Sequence, residues 1–225
     1  MIIKVCGMRD AENIRQVASL GVDMIGLIFC RESSRFVSML PSLAGILPDH
    51  ARRGLVDIGG SPSRVGVFVD DMPQTIVANV YNYKLDYVQL HGSESPTMID
   101  NLRHTLDPDI RPGIKIIKAI CVADEEDVKQ WRQYRGHADM LLFDTKGERA
   151  GGNGHRFSWR LLDEYDGDIP FLLSGGIGLE DAEEIKGISH PLFAGVDLNS
   201  RFELSPGVKD VDRLAAFVRQ LRGEP

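Results

Sequence analysis

Cys6 closes a short β-branched run, Ile2-Ile3-Lys4-Val5, and Gly7 follows at once. A cysteine where a strand hands over to a loop is either a reactive thiol or, more commonly, a small buried hydrophobe. Arg35, Asp70, His91, Asp144 and Asp197 likewise fall at or just after the ends of apolar runs. Each has an ordinary reading. Asp70-Asp71 reads as a turn and N-cap pair before Pro73, His91 as a loop residue bonding its own backbone, Asp144 as a turn cap and Arg35 as a surface arginine. The combination is more specific than its members. A thiol and a carboxyl on separate strand ends can serve as base and acid across one substrate, and an arginine offers a fork for a carboxylate.

Two turns add an anion site. Ser174-Gly175-Gly176 follows one apolar run, and Asn199-Ser200 follows the next. Glycines let a backbone come close to an anion, and N–H groups at helix starts point at it. The run Gly151-Gly152-Asn153-Gly154 has neither dinucleotide nor Walker spacing and reads as a lid over the site. Of the histidines at 50, 91, 104, 137, 155 and 190, only His91 falls at a strand end. They form no cluster with ligand spacing, so neither a metal nor a cofactor is expected.

The elements that position these residues alternate. Strands are predicted at 2–5, 23–29, 65–69, 87–90, 114–120, 140–143, 171–173 and 192–198. Helices are expected between them. Asp10 caps the first and Gly21 closes it. Others are expected at 41–53, from Pro73, at 96–106, from Asp124 through Val128 and Trp131, at 158–165 and at 179–186. The last carries Leu214, Phe217, Val218 and Leu221 on one face. Residues 54–63 read as irregular and 147–154 as a glycine-rich loop. Eight strand-then-helix units with no linker indicate one α/β domain over residues 1–225, a single (β/α)8 TIM barrel with parallel strands. A doubly wound sheet would be expected to carry a phosphate fingerprint after its first strand, and none is there.

Composition bounds the partners. The 225 residues are 43% hydrophobic, with 26 Lys+Arg against 33 Asp+Glu and a net charge of -7. That balance argues against nucleic acid or a membrane surface as a partner, but not against an anionic small molecule. Three widely spaced cysteines, no signal-type start and no membrane-length apolar run point to a reducing cytoplasm.

Several motifs, in this order, resemble the phosphoribosylanthranilate isomerase family of tryptophan biosynthesis. They are Lys4-Val5-Cys6-Gly7, Gly26-Leu27-Ile28-Phe29 with Ser33-Ser34-Arg35-Phe36-Val37-Ser38, Val65-Gly66-Val67-Phe68, Val88-Gln89-Leu90-His91-Gly92, Leu142-Phe143-Asp144, Gly151-Gly152-Asn153-Gly154, Ser174-Gly175-Gly176 and Ser205-Pro206-Gly207-Val208-Lys209-Asp210. The resemblance implies a metal-free Amadori rearrangement of N-(5-phosphoribosyl)anthranilate to 1-(2-carboxyphenylamino)-1-deoxyribulose 5-phosphate. It implies Asp144 as general acid, Cys6 as general base and Arg35 as partner of the anthranilate carboxylate. Gly175, Gly176, Asn199 and Ser200 fall at phosphate loops, and Asp197 and His91 lie beside the substrate. A monomer or weak homodimer is expected.

Mechanism adds two requirements. Asp144 must be buried or near another carboxylate to hold a proton, and Asp197 is the candidate neighbour. Cys6 must have a cation nearby to act as thiolate. After the eighth strand the family's Ser-Ser-Gly-Val-Glu is here Asn199-Ser200-Arg201-Phe202-Glu203. Either the backbone at Arg201 differs, or its guanidinium adds a phosphate contact. Residues 54–63 read as a surface insertion. Two alternatives compete: another phosphosugar barrel enzyme, with Lys118 as a lysine acid, and a non-catalytic phosphate-binding barrel with no need for both Cys6 and Asp144.

Overall fold

Short β-branched runs bounded by turns give strands buried on both faces, and eight of them close on themselves. A computed structural model of the chain describes residues 1–37, 62–145 and 158–223. The barrel strands are β1 (Ile2–Val5), β2 (Met24–Ile28), β3 (Ser63–Phe68), β4 (Tyr87–Leu90), β5 (Lys115–Val122), β6 (Met140–Thr145), β7 (Phe171–Leu173) and β8 (Phe193–Leu198). Each pairs in parallel with the next, and β8 returns to β1 with Lys4 opposite Asp197. The (β/α)8 TIM barrel expected from the alternating pattern is therefore the fold. The expected helix at 41–53, the irregular segment 54–63 up to residue 61 and the glycine-rich loop at 147–154 lie outside the described residues, and Ser63, expected in that irregular segment, already belongs to β3.

The α-helices are α1 (Ala11–Ser19), α2 (Pro73–Tyr83), α3 (Pro96–Leu106), α4 (Glu125–Lys129), α5 (Ala182–Lys186) and α6 (Val211–Arg222). Their starts follow capping chemistry. The carboxylates or hydroxyl of Asp10, Ser95, Asp124 and Asp210 accept from the N–H groups of Asn13, Met98, Asp127 and Arg213. Pro73 and Pro96 occupy first-turn positions, where the missing N–H leaves no intrahelical bond unmade. Among the described residues, no helix is long and apolar enough to cross a membrane.

The helix expected from Asp124 through Trp131 ends as α-helix at Lys129 and passes into a 3₁₀ turn at Gln130–Tyr134, and three further segments depart from the sequence expectation. Residues Trp159–Glu164 form a 3₁₀ turn rather than an α-helix, and Leu179–Asp181 is a 3₁₀ turn leading into α5. The reason is written in the spacing. Trp159, Leu162 and Tyr165 are all buried and lie three apart, which eclipses them on one face of a three-residue turn. The third is a hairpin after the barrel, β9 (Glu203–Ser205) with β10 (Val208–Lys209), turning at Gly207 with φ 85°. Asp70 is not a helix cap. Met72 holds that position without a side-chain bond, and Asp70, at φ 49°, accepts from the backbone N–H and hydroxyl of Ser93.

Side-chain alternation then sorts every strand into two layers. The outer layer packs under the helices and includes Ile3, Val5, Val88, Leu90, Leu141, Phe143, Val196 and Leu198. The inner layer fills the lumen with Met24, Val65, Ile117, Ala119, Met140, Leu142 and Leu172. The next inward positions toward the carboxyl ends belong to the site.

Candidate active site

Inward parity carries Lys4 and Cys6 on β1, Gly26 and Ile28 on β2, Gln89 and His91 from β4, Asp144 on β6 and Asp197 on β8 to one end of the lumen. Cys6, Ile28, Gln89, His91, Asp144 and Asp197 line a cavity of about 330 Å³ together with Ser174, Gly175, Gly176, Asn199, Ser200 and Arg201, while Lys4 and Gly26 back Cys6 from below and beside. Of the residues singled out from sequence, Cys6, His91, Asp144, Asp197, Gly175, Gly176, Asn199 and Ser200 thus come together. Arg35 does not line the cavity. Its Nε and Nη2 fork onto the Glu203 carboxylate at 2.9 and 2.7 Å.

The Cys6 thiol is buried against β2, and Gly26 makes the room. A Cβ on Gly26 would lie 2.7 Å from Cys6 Sγ. Beneath the thiol, Lys4 Nζ donates to Asp197 Oδ1 at 2.8 Å, and both side chains are buried. This meets the requirement for a cation beside Cys6. Burial pushes the thiol up, with Lys4 and Lys209 pulling against it and Asp197 adding to it; the net direction is up. Burial pulls Lys4 down, but Asp197 and Cys6 more than offset it, so Lys4 is a firm cation. Burial likewise raises Asp197, against the pull of Lys4.

Asp144 is buried, as acid chemistry requires, but its direct partner differs from the expected one. His91 Nε2 lies 3.3 Å from Asp144 Oδ2, whereas Asp197 is turned to Lys4 and only faces Asp144. The other oxygen, Oδ1, accepts from the Thr145 N–H at 2.9 Å. His91 therefore faces the Asp144 carboxylate rather than its own loop backbone.

The anion end is built from backbone. Gly175 and Gly176 follow β7 with φ of 92° and 67°, two consecutive left-handed residues that glycine adopts without strain. A Cβ on Gly175 would meet Thr145 Oγ1 at 2.1 Å, so the turn is pressed against β6. Across from it, Ser200–Phe202 forms a 3₁₀ turn after Asn199. Arg201 replaces a glycine without a left-handed backbone, and its guanidinium pairs with Glu180 at the cavity rim.

Four groups escaped the sequence reading: Lys4, Gln89, Glu203 and Lys209. Lys209 Nζ donates to Glu203 Oε1 at 2.7 Å and Asn199 Oδ1 at 2.8 Å, tying the hairpin to the cavity wall. The signal available was the inward parity of Lys4 and Gln89 with Cys6 and His91. Parity also removes Lys118 from the chemistry. It points out of the lumen between Ile117 and Ala119, and its Nζ is consumed by Glu94 at 3.2 Å and the carbonyls of Leu90, Gly92 and Ala119. A lysine acid at that position is excluded.

Comparison with known proteins supplies the family. Residues 3–220 match the family model described as N-(5'phosphoribosyl)anthranilate (PRA) isomerase. A relative from Parabacteroides distasonis, named N-(5'-phosphoribosyl)anthranilate isomerase, is 46% identical over 221 residues, 98% of this chain and 93% of its own. The crystal structure of phosphoribosyl anthranilate isomerase from Thermotoga maritima is 30% identical, with a TM-score of 0.76 over 99% of this chain and 100% of its own. A phosphoribosyl anthranilate isomerase in complex with reduced 1-(o-carboxyphenylamino)-1-deoxyribulose 5-phosphate is 28% identical, with a TM-score of 0.73 over 99% and 100% of the two chains. With the barrel and nearly the whole length in correspondence, the chain belongs to the N-(5'-phosphoribosyl)anthranilate isomerase family.

Proposed function

We propose that this enzyme carries out the Amadori rearrangement of N-(5-phosphoribosyl)anthranilate in tryptophan biosynthesis, with Asp144 as general acid and Cys6 as general base. The observation that carries the reading is the approach of a thiol from β1 and a carboxyl from β6 to one cavity whose far end is a doubly left-handed glycine turn. Acid and base on different strands can act on different atoms of one bound sugar.

The steps balance as follows. A proton passes from Asp144 to the ribose ring oxygen, the C1–O bond breaks, and the anilino nitrogen lone pair forms the C1=N⁺ iminium. Cys6, as thiolate, takes the C2 proton, and the C2–H electron pair becomes the C1=C2 bond of an enolamine. Tautomerisation of that enolamine gives the ketone. Burial holds the Cys6 thiol up, Lys4 pulls against that toward the thiolate, and the bond to Asp197 holds the Lys4 ammonium beneath the thiol. The backbone of Gly175, Gly176, Asn199 and Ser200 receives the phosphate. The anthranilate carboxylate falls to Arg35 on the family resemblance; reaching it requires the guanidinium to share or leave the Glu203 carboxylate that it forks onto here.

The test is to mix the purified protein, with chelator present, with freshly generated substrate and follow the loss of anthranilate-type fluorescence. A fast loss is expected, and it falls by orders of magnitude in Cys6→Ala and Asp144→Asn while affinity for a reduced product analogue stays nearly intact. A wild-type signal no faster than spontaneous substrate decay would overturn the function. Undiminished turnover in both variants would overturn the acid and base assignment.

A further inference from the structure

Gln89 and His91 are two inward residues apart on the β4 edge of the cavity, and neither has a place in the steps above. His91 is held from both sides. Nε2 lies 3.3 Å from Asp144 Oδ2, and the amide nitrogen of Gln89 lies 3.0 Å from Nδ1. Gln89 Oε1 is buried without a partner, as is His91 Nε2 by strict hydrogen-bond geometry. The two ends of an amide are isosteric. Turning that of Gln89 by a half rotation puts Oε1 on Nδ1, where it accepts an N–H. The amide oxygen then has its partner, and both imidazole nitrogens are donors, Nδ1 to Gln89 and Nε2 to Asp144.

We propose that His91 is a positioning residue that stores on Nε2 the proton Asp144 delivers, with Gln89 holding the ring through Nδ1. The proposal rests on the reading of Asp144 as the acid. Transfer is local: the Nε2–H bond breaks as the Oδ2–H bond forms, and that proton then goes to the ring oxygen of the substrate. His91 is left neutral, with the Asp144 carboxylate again beside it, and is recharged by solvent after the thiol formed on Cys6 gives up the C2 proton. One proton is thus shared by the pair at rest. The carboxyl does not have to remain protonated on its own against the pull of a buried imidazole.

The surroundings agree. Burial alone would push His91 down. Hydrogen bonding of the ring N–H groups to Asp144 and Cys121, and the charges of those two, raise it to about 9, so the ring is an imidazolium at neutral pH. The groups facing it are Asp144 from β6, Cys121 from β5 and, across the lumen, Asp197 from β8. Lys4, bound to Asp197, is the cation beside that set.

The experiment is a nitrogen NMR titration of the intact, unliganded protein labelled at histidine, together with the kinetics of His91→Gln. The expected result is an imidazolium doubly protonated at neutral pH that titrates near 9. Asp144→Asn lowers that midpoint by about a unit or more, since it removes the charged partner. In His91→Gln, kcat at mildly alkaline pH falls about tenfold or more, with KM changed by less than about threefold. The basic limb of its kcat profile moves to lower pH. A neutral His91 at neutral pH in the wild type overturns the proposal, as does a His91→Gln profile that superimposes on the wild type. If the wild type fails to turn over phosphoribosylanthranilate at all, the function is wrong. The titration still decides where the proton rests.

Discussion

Gly26→Ala tests whether the position of the thiol, and not merely its presence, sets the rate. The added methyl would lie 2.7 Å from Cys6 Sγ, 3.0 Å from its Cα and 3.2 Å from its Cβ. Ordinary heavy-atom contacts are about 3.5–4.0 Å, so Sγ must retreat by roughly 1 Å. The strands cannot simply part, because β1 and β2 are paired at Lys4–Met24 and Val5–Ile25 and Met8 N–H bonds the Gly26 carbonyl at 2.9 Å. The displacement therefore falls mainly on the thiol. A 1 Å misplacement of a reacting group costs about 100-fold in rate. Overpacking adds a stability loss of about 1–3 kcal/mol, or a fall in Tm of roughly 2–12 °C for a chain of this size. The assay is initial rate by fluorescence beside a circular-dichroism melt and binding of a reduced product analogue. The expected variant is folded, binds the analogue and turns over about 100-fold more slowly. A folded variant with kcat within about threefold of wild type would refute the reasoning, because the thiol would then tolerate a displacement that general-base catalysis does not.

Lys118→Met strands the Glu94 carboxylate in a buried site and is expected to lower stability by about 3–5 kcal/mol in urea unfolding, with Glu94→Gln added on top recovering part of it. A loss under about 1 kcal/mol would mean the pair is not desolvated as the geometry requires. Lys4→Met removes the cation beneath Cys6, so alkylation of Cys6 by iodoacetamide should need higher pH than in the wild type; an unchanged pH–rate curve would remove Lys4 from the thiol's environment. His91, raised in the folded chain to about 9 from its ordinary value near 6.5, binds a proton more tightly folded than unfolded. Its contribution to stability is complete below about pH 6.5 and is lost as pH rises through about 9. Urea midpoints should fall across that window and fall less in His91→Gln. A wild-type midpoint that rises with pH there contradicts the assignment.

Much of the fold was legible from local chemistry. Short apolar runs, Pro73 and Pro96 at helix starts, and capping by Asp10 and Asp124 are events within a few residues. Residues at strand ends share one face whenever eight parallel strands close, so Cys6, His91, Asp144, Asp197 and the Gly175-Gly176 turn could be gathered before any contact was known. The 3₁₀ turn at Trp159–Glu164 was also present in the text, as a spacing of three, but was read at the wrong period.

The pairings were of another kind. Lys4 and Asp197 are 193 residues apart and meet only because β8 closes against β1 in a register that sets them opposite one another. Arg35 and Glu203, 168 residues apart, meet through a hairpin with strands too short to carry a pattern. His91 displaced Asp197 as the partner of Asp144 because inward direction and depth in the lumen, rather than order along the chain, decide which side chains touch. The sequence by itself determined the strands, their ends and the inventory of reactive groups, since these follow from local propensity and alternation. Only the tertiary structure decided which charge faces which, because barrel closure and register fix those distances, and burial then sets how strongly each proton is held.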